Sequence, residues 1–400
     1  MKTVITYGAG ILMALAVGAC NRPAEQTPGT LSPESREASC LSLVQSPKGQ
    51  VFAAWAETDS NQQDLRFCLA AWDDKADSFV HWASIPLDSQ TSLNQENNPK
   101  LVFSGADSVW LVYVVHAPAK GNKYASLIQY RVSGDAGKTW SSPYQFLQDR
   151  TAGQSLSYIS ATRLANGRLA FCWLGNSLSH SRKGRPLYYA EAFGVNHFSK
   201  PELLDSFACQ CCRNSIAITA EGKVSIVYRS LRPGSVRDIA FVCRPSGESL
   251  FSKPMVFSGD HWVVDGCPED GPVVVASERE NAVVWFTGSG RDKGVHFAQL
   301  DNQGGVLAKQ KIESLSRFIQ MASDVAGHQY VVYNHYVQDE DKKAGSMIML
   351  RDMTQQPSKA MTLTAQDEFA GYPVVTARNN KAFVGWLTGQ QVRYRVVAMP

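Results

Sequence analysis

Ser133-Gly134-Asp135-Ala136-Gly137-Lys138-Thr139-Trp140 is the stretch that decides how the rest of the chain is read. It is a tight turn with a mechanism. Asp135 can accept backbone N–H groups, Gly137 permits an unusual φ, and Trp140 can plug between strands. Two weaker echoes follow at equivalent places, Phe198-Ser199-Lys200-Pro201 and Phe251-Ser252-Lys253-Pro254, both matching Trp140-Ser141-Ser142-Pro143.

Outward from that turn the sequence repeats. A Gly- or Asn-bearing turn precedes an apolar run that ends in Trp or Tyr. Gly49–Trp55, Gly167–Trp173 and Gly222–Tyr228 are clear copies, and the markers are Trp55, Tyr113, Trp173, Tyr228, Trp285, Tyr333 and Trp386. Their separations of 58, 60, 55, 57, 48 and 53 residues give a period near fifty, the mark of a propeller or a comparable array. Each unit holds four short strands, and runs such as Val283-Val284-Trp285-Phe286 suit strands covered on both faces. The count predicts an all-β propeller of seven four-stranded blades, with six as the alternative. The last unit ends after its third strand, so the segment before Cys40 is expected to close the ring and remove a free edge.

Ser133 to Trp140 matches the Asp-box, or bacterial neuraminidase repeat, through Ser133, Asp135, Gly137, Thr139 and Trp140. On that ground residues 39–400 resemble the sialidase superfamily. The resemblance implies a sialidase-like propeller, with the boxes as structural turns away from the binding face. A sialidase uses three arginines, a tyrosine nucleophile with a glutamate, and an aspartate acid/base. The early Phe/Tyr-Arg-Ile-Pro motif that carries the first arginine is missing here. Arg213, Arg229, Arg237 and Tyr372 are the catalytic candidates, but no spacing selects three arginines.

Strand order places the blade entries and the loops between second and third strands on one face. That mouth is expected to carry Tyr158, Arg213, Asp265, Asp270, Arg317 and Tyr372, with Arg229, Arg237 and Asp238 beside them. Arg213, Arg237, Asp270, Arg317 and Tyr372 are the expected ligand-binding set, since arginine with tyrosine suits a carboxylated or sugar-like ligand. Binding of a glycan or another carboxylated molecule without catalysis is the first expectation, and an exo-α-sialidase or related glycoside hydrolase is the second.

Cys209-Gln210-Cys211-Cys212 precedes blade 4, and Gly266-Cys267-Pro268 precedes blade 5. Adjacent entries should bring Cys267 to the other three. An extended segment would point Cys209 and Cys211 one way and Cys212 the other. Either Cys267 forms a disulfide with one of them, which an exported compartment favours, or the thiolates bind copper or zinc. The same motifs resemble a group of exported sialidase-like propellers carrying Cys-x-Cys-Cys and Gly-Cys-Pro. Cys172 and Cys243 are expected to be structural. Cys40 and Cys68 sit on strands two spacings apart, about 9.5 Å, beyond a disulfide's reach, and are expected as buried thiols.

Lys2, the uncharged apolar run Val4 to Val17, and Gly18-Ala19 before Cys20 read as a cleavable export signal, residues 1–19. Val17-Gly18-Ala19-Cys20 resembles a bacterial lipobox, which implies lipidation (palmitate included) at Cys20. Asn21 after it favours the outer membrane by resemblance to Gram-negative lipoproteins. Residues 20–38 are rich in Pro, Ser, Thr and Glu and read as a flexible tether. A net charge of +3 over 400 residues gives no electrostatic reason to expect nucleic acid. No Walker loop, nucleotide fingerprint or Ser-His-Asp spacing is present.

Overall fold

The computed structural model describes residues 28–399, apart from 62, 148–152, 180–182, 339–343 and 356 and the side chains of Arg291 and Gln338. The expected export signal, the expected lipidation site Cys20 and the first part of the expected tether lie outside the described residues.

The described chain is built of strands, with short 3-10 turns and no α-helix among the described residues. The strands form seven blades. Blade 1 is Glu37–Gln45, Val51–Thr58, Arg66–Asp73 and Ser78–Pro86; blade 2 is Lys100–Phe103, Val109–His116, Ser126–Ser133 and Tyr144–Gln145. Blade 3 is Ser157–Arg163, Leu169–Leu174, Arg185–Gly194 and His197–Phe198; blade 4 is Ser215–Ile218, Val224–Arg232, Val236–Arg244 and Met255–Val256. Blade 5 is Val273–Ala276, Asn281–Thr287, Gly294–Leu300 and Val306–Glu313; blade 6 is Ser316–Ser323, Gln329–Gln338, Ala344–Asp352 and Met361–Thr362. Ala370–Arg378, Lys381–Thr388 and Gln391–Ala398 make blade 7, and Gly29–Thr30 supplies its fourth strand by pairing antiparallel with Tyr394 and Arg393. Residues 29–38 therefore belong to the fold, and the expected tether is shorter than its composition suggested. An extra strand, Glu202–Ala208, pairs with the third strand of blade 3 and touches blade 4 at Ala208–Ser230, fusing those two blades into one sheet.

The repeat has a packing cause. The seven marker aromatics are all buried, and each gap between neighbouring blades holds its own apolar core. Phe52, Leu69 and Leu111 fill the gap between blades 1 and 2; Val227, Val283 and Trp285 fill that between 4 and 5. A second strand packed on both faces must be apolar throughout, which is why Val51–Thr58 is buried at every position. The first strands touch one another in order around a closed ring and line an axial channel of about 340 Å3.

The Asp-box folds as its sequence implies. Asp135 Oδ1 accepts the N–H groups of Lys138 and Thr139 at 3.0 and 2.9 Å, and Oδ2 accepts the Thr139 hydroxyl at 2.6 Å. Those donors hold the Asp135 carboxyl well below the usual carboxylate range. Gly137 sits at φ +90°, and Trp140 Nε1 donates to its carbonyl at 2.8 Å. The turn joins the third and fourth strands of blade 2, so it lies on the face opposite the blade entries.

Candidate functional site at the channel mouth

Four blades begin with the same distortion. In blades 1, 3, 6 and 7 the first strand is bulged, and Cys40, Tyr158, Phe318 and Tyr372 take positive φ there. Each bulge frees a backbone N–H towards the axis. A side chain from another segment accepts each one: Gln95 Oε1 for Cys40 at 3.0 Å, Asn97 Oδ1 for Tyr158 at 2.5 Å, Asp270 Oδ2 for Phe318 at 3.1 Å and Asn334 Oδ1 for Tyr372 at 2.9 Å.

Two of those acceptors flank Glu96 in a single 3-10 turn, Gln95–Asn97, capped by Asn94. Glu96 is 5% exposed. Its Oε2 accepts the N–H groups of Arg213 and Gly271 at 3.1 and 2.8 Å, and its Oε1 takes the Arg213 guanidinium. A Cβ at Gly271 would lie 2.2 Å from the Arg213 carbonyl oxygen, so only glycine fits that crossing. Three consecutive side chains thus tie four blade entries together over the channel. The sequence reading missed them; the polar run Asn94-Gln95-Glu96-Asn97-Asn98 and its N-cap signal a turn, but nothing local says where it points.

The expected mouth residues divide into buried and open. Arg229 and Arg237 are each 1% exposed and Asp270 is fully buried, which corrects their assignment to a ligand-facing rim. The strands of blade 4 run through Arg232 and resume at Val236, so both arginines stand within strands rather than in a loop. Arg229 donates to the carbonyls of Asp270 and Phe286 at 2.8 and 2.7 Å and lies over the Trp262 ring. Arg237 donates to the Val264 carbonyl at 3.1 Å. Asp270 meets Arg317 Nε at 3.4 Å and Arg213 Nη2 at 4.0 Å. Burial pushes the Asp270 carboxyl up to about 6 against the pull of Arg213. Arg213 is almost wholly buried between Glu96 and Asp270. Arg317 and Tyr372 are part-exposed; the Tyr372 ring lies 4.4 Å from that of Phe318. Asp265 is an exposed partner of Lys183.

Cys209, Cys211 and Cys212 are buried together, with Cys209 Sγ 3.8 Å from Cys211 Sγ and 3.6 Å from Cys212 Sγ. The segment turns at residues 210–212 rather than extending, so Cys212 joins the other two instead of facing away. Cys267 is exposed and stands outside this three-sulfur cluster, and the described cysteines are all free thiols. The blade 5 entry, long and irregular from 257 to 272, carries Cys267 to the surface. Arg237 Nη1 approaches Cys209 Sγ at 2.8 Å. Hydrogen bonds from the other two thiols, with Arg237, pull Cys209 down towards the thiolate, while burial pushes Cys212 up. Cys40, Cys68, Cys172 and Cys243 are buried free thiols, as their places on the strands imply.

Beside the cysteines, between the entries of blades 2 and 3, opens a cavity of about 1210 Å3. Serines and asparagines dominate its wall, with Tyr158, His116, Lys183 and Arg185, and no carboxylate lines it among the described residues. Arg185 donates to the carbonyls of Gly175, Leu174 and Ser155 and to the Ser157 hydroxyl. None of these four acceptors is charged. Burial alone pulls the Arg185 guanidinium down to about 10.

No family model matches the sequence, and no curated protein matches it. Solved structures do match. A polysaccharide lyase, Uly1, is 12% identical over 90% of each chain with a TM-score of 0.57. An α-L-arabinanase from Penicillium chrysogenum, solved with arabinobiose, is 12% identical over 85% of this chain and 99% of that one, TM-score 0.50. The NanB sialidase from Streptococcus pneumoniae is 10% identical over 93% of this chain and 70% of that one, TM-score 0.50. At such identities the likeness is one of architecture, and the fold is a sialidase-like β-propeller.

Proposed function

We propose that this protein binds a carboxylated glycan in the cavity between blades 2 and 3, as a lipid-anchored protein of the bacterial envelope. One observation carries the ligand class: a polar, hydroxyl- and amide-lined cavity with a half-buried arginine whose charge has no carboxylate partner among the described residues. Serine and asparagine can match sugar hydroxyls, and the Arg185 charge favours an acid group, whereas Lys183 already pairs with Asp265. The solved neighbours include a sialidase and an arabinanase, which makes a glycan the natural class to test.

The test is titration of the purified chain with N-acetylneuraminic acid, galacturonic acid and neutral galactose, followed by ligand-observed NMR. The acids are expected to bind and galactose to bind at least tenfold more weakly. Arg185→Gln should weaken the acids by about 10–100-fold, the size of a lost charge-assisted contact. Equal binding of galactose and the acids would overturn the reading.

A glycoside hydrolase remains the second reading, favoured by the part-exposed Tyr372 beside Arg317. Turnover of a fluorogenic sialoside, abolished by Tyr372→Phe, would replace binding with catalysis. Anchoring rests on the lipobox-like Val17-Gly18-Ala19-Cys20. Cys20→Ser should move the protein out of the salt-washed membrane fraction, and retention there would refute the anchor.

A further inference from the structure

We infer that Cys209, Cys211 and Cys212 form a three-coordinate site for one Cu(I) ion, lying behind the wall of the large cavity. The inference is independent of glycan binding. Three sulfurs sharing an ion at about 2.3 Å stand about 3.8–4.0 Å apart, depending on whether the arrangement is tetrahedral or planar. The observed separations from Cys209 are 3.8 and 3.6 Å, and all three sulfurs lie within 4.8 Å of one another. A disulfide needs sulfurs at about 2.05 Å.

Charge gives a second, separate argument. Arg229 and Arg237 are buried beside the cluster, and neither has a carboxylate ion-pair partner among the described residues. The Nε of Arg229 has no hydrogen-bond acceptor among the described residues. Buried cations require nearby negative charge. Three thiolates around a monovalent ion carry two negative charges, which these two guanidiniums offset. Three neutral thiols, or a disulfide with one thiol, would leave both buried arginines without an ion-pair partner among the described residues, with Asp265 acting on Arg237 only from a distance. A divalent ion would leave one positive charge in excess, and would ask for a fourth ligand that the buried cluster does not supply. Soft thiolate ligands suit Cu(I), zinc and iron–sulfur clusters alike, and a set of three sulfurs rather than four favours Cu(I) among them.

The site has an approach. Gln210, between the first two cysteines, lines the large cavity, and Tyr158, which packs on the cluster, lines it too. Cys211 retains 5% exposure. Loading displaces the thiol protons to solvent and involves no change of oxidation state: Cu(I) enters and Cu(I) is held.

The full chain, reduced and handled under argon, is titrated with Cu(I) in competition with bicinchoninate. One Cu(I) per chain should be withheld from the chelator, and X-ray absorption should show about three sulfurs at about 2.3 Å. Cys211→Ser should weaken binding at least 100-fold, and Cys267→Ser should leave it unchanged. Arg237→Gln, which keeps all three sulfurs, should weaken it about 10–100-fold. The wild-type measurements stand even if a variant misfolds. Failure of the reduced wild type to withhold copper would overturn the site, as would stoichiometric zinc in preference to copper. A disulfide mapped among these three cysteines under argon would also overturn it.

Discussion

Asp270 carries a buried carboxyl whose titration can be read from outside. Burial raises its pKa to about 6 in the folded chain, against about 3.9 for an unfolded aspartate. The folded state holds the proton more tightly. The group's contribution to stability is therefore complete below about pH 4 and is lost as pH rises through about 6. Its full size is on the order of 3 kcal/mol. Asp324, with His328 donating to it, and Asp265, beside Lys183, have depressed native values and act in the opposite sense, losing stability as pH falls. Asp270→Asn isolates the aspartate: urea midpoints at pH 4 and pH 6 should show wild type losing stability relative to the variant. Parallel pH profiles would contradict the assignment. The Asp-box residues were legible because every donor to Asp135 lies within four residues of it. The fates of Arg229, Arg237 and Asp270 were not, because their partners come from segments 27 to 57 residues away.

Among the elements, the turn Gln95–Asn97 acts as a strap. Its three side chains satisfy backbone donors of blades 1 and 3 and of the entries to blades 4 and 5. Removing Glu96 leaves the Arg213 cation facing only Asp270, and two buried N–H groups without acceptors. Glu96→Ala should cost about 3–5 kcal/mol, the usual loss on breaking a buried ion pair, measured by urea unfolding. Glu96→Gln keeps an acceptor and should cost less. Equal stability of Glu96→Ala and wild type would remove the strap from the account. The sequence marks such a turn through Asn94, but its reach across the axis is tertiary. The strands themselves were legible because the inter-blade cores demand apolar runs with a fixed marker aromatic. The extra strand Glu202–Ala208 carries no such marker, since it joins two sheets at their edges rather than filling a gap.

For the whole molecule, the repeat pointed to seven blades with six as the alternative, and to the side on which the entries gather. It left open which of the mouth's charged residues meet solvent. That is settled by how far each strand continues, and blade 4 extends well past its marker Tyr228, carrying Arg229 out of reach. The large cavity was also hidden, because its wall is assembled from two blade entries and two further loops whose serines and asparagines look like ordinary loop composition.

The two-residue strand that completes blade 7 sets a compass bearing. Gly29 pairs with Tyr394, Thr30 with Arg393, and the Leu31 N–H donates to the Val392 carbonyl. The chain therefore climbs from the Asp-box side towards the mouth as it enters the fold. Eight residues lie between Cys20 and Gly29, so the nine steps from one to the other reach at most about 30 Å when fully extended. A lipid on Cys20 would moor the propeller from beneath, with the Asp-box turned to the bilayer and the cavity turned outward like a dish. In liposomes carrying a headgroup quencher, a fluorophore on residue 138 should dim strongly, and one on residue 124, at the cavity lip, only weakly. The reverse order would place the cavity against the lipid and require a different path for the leading segment.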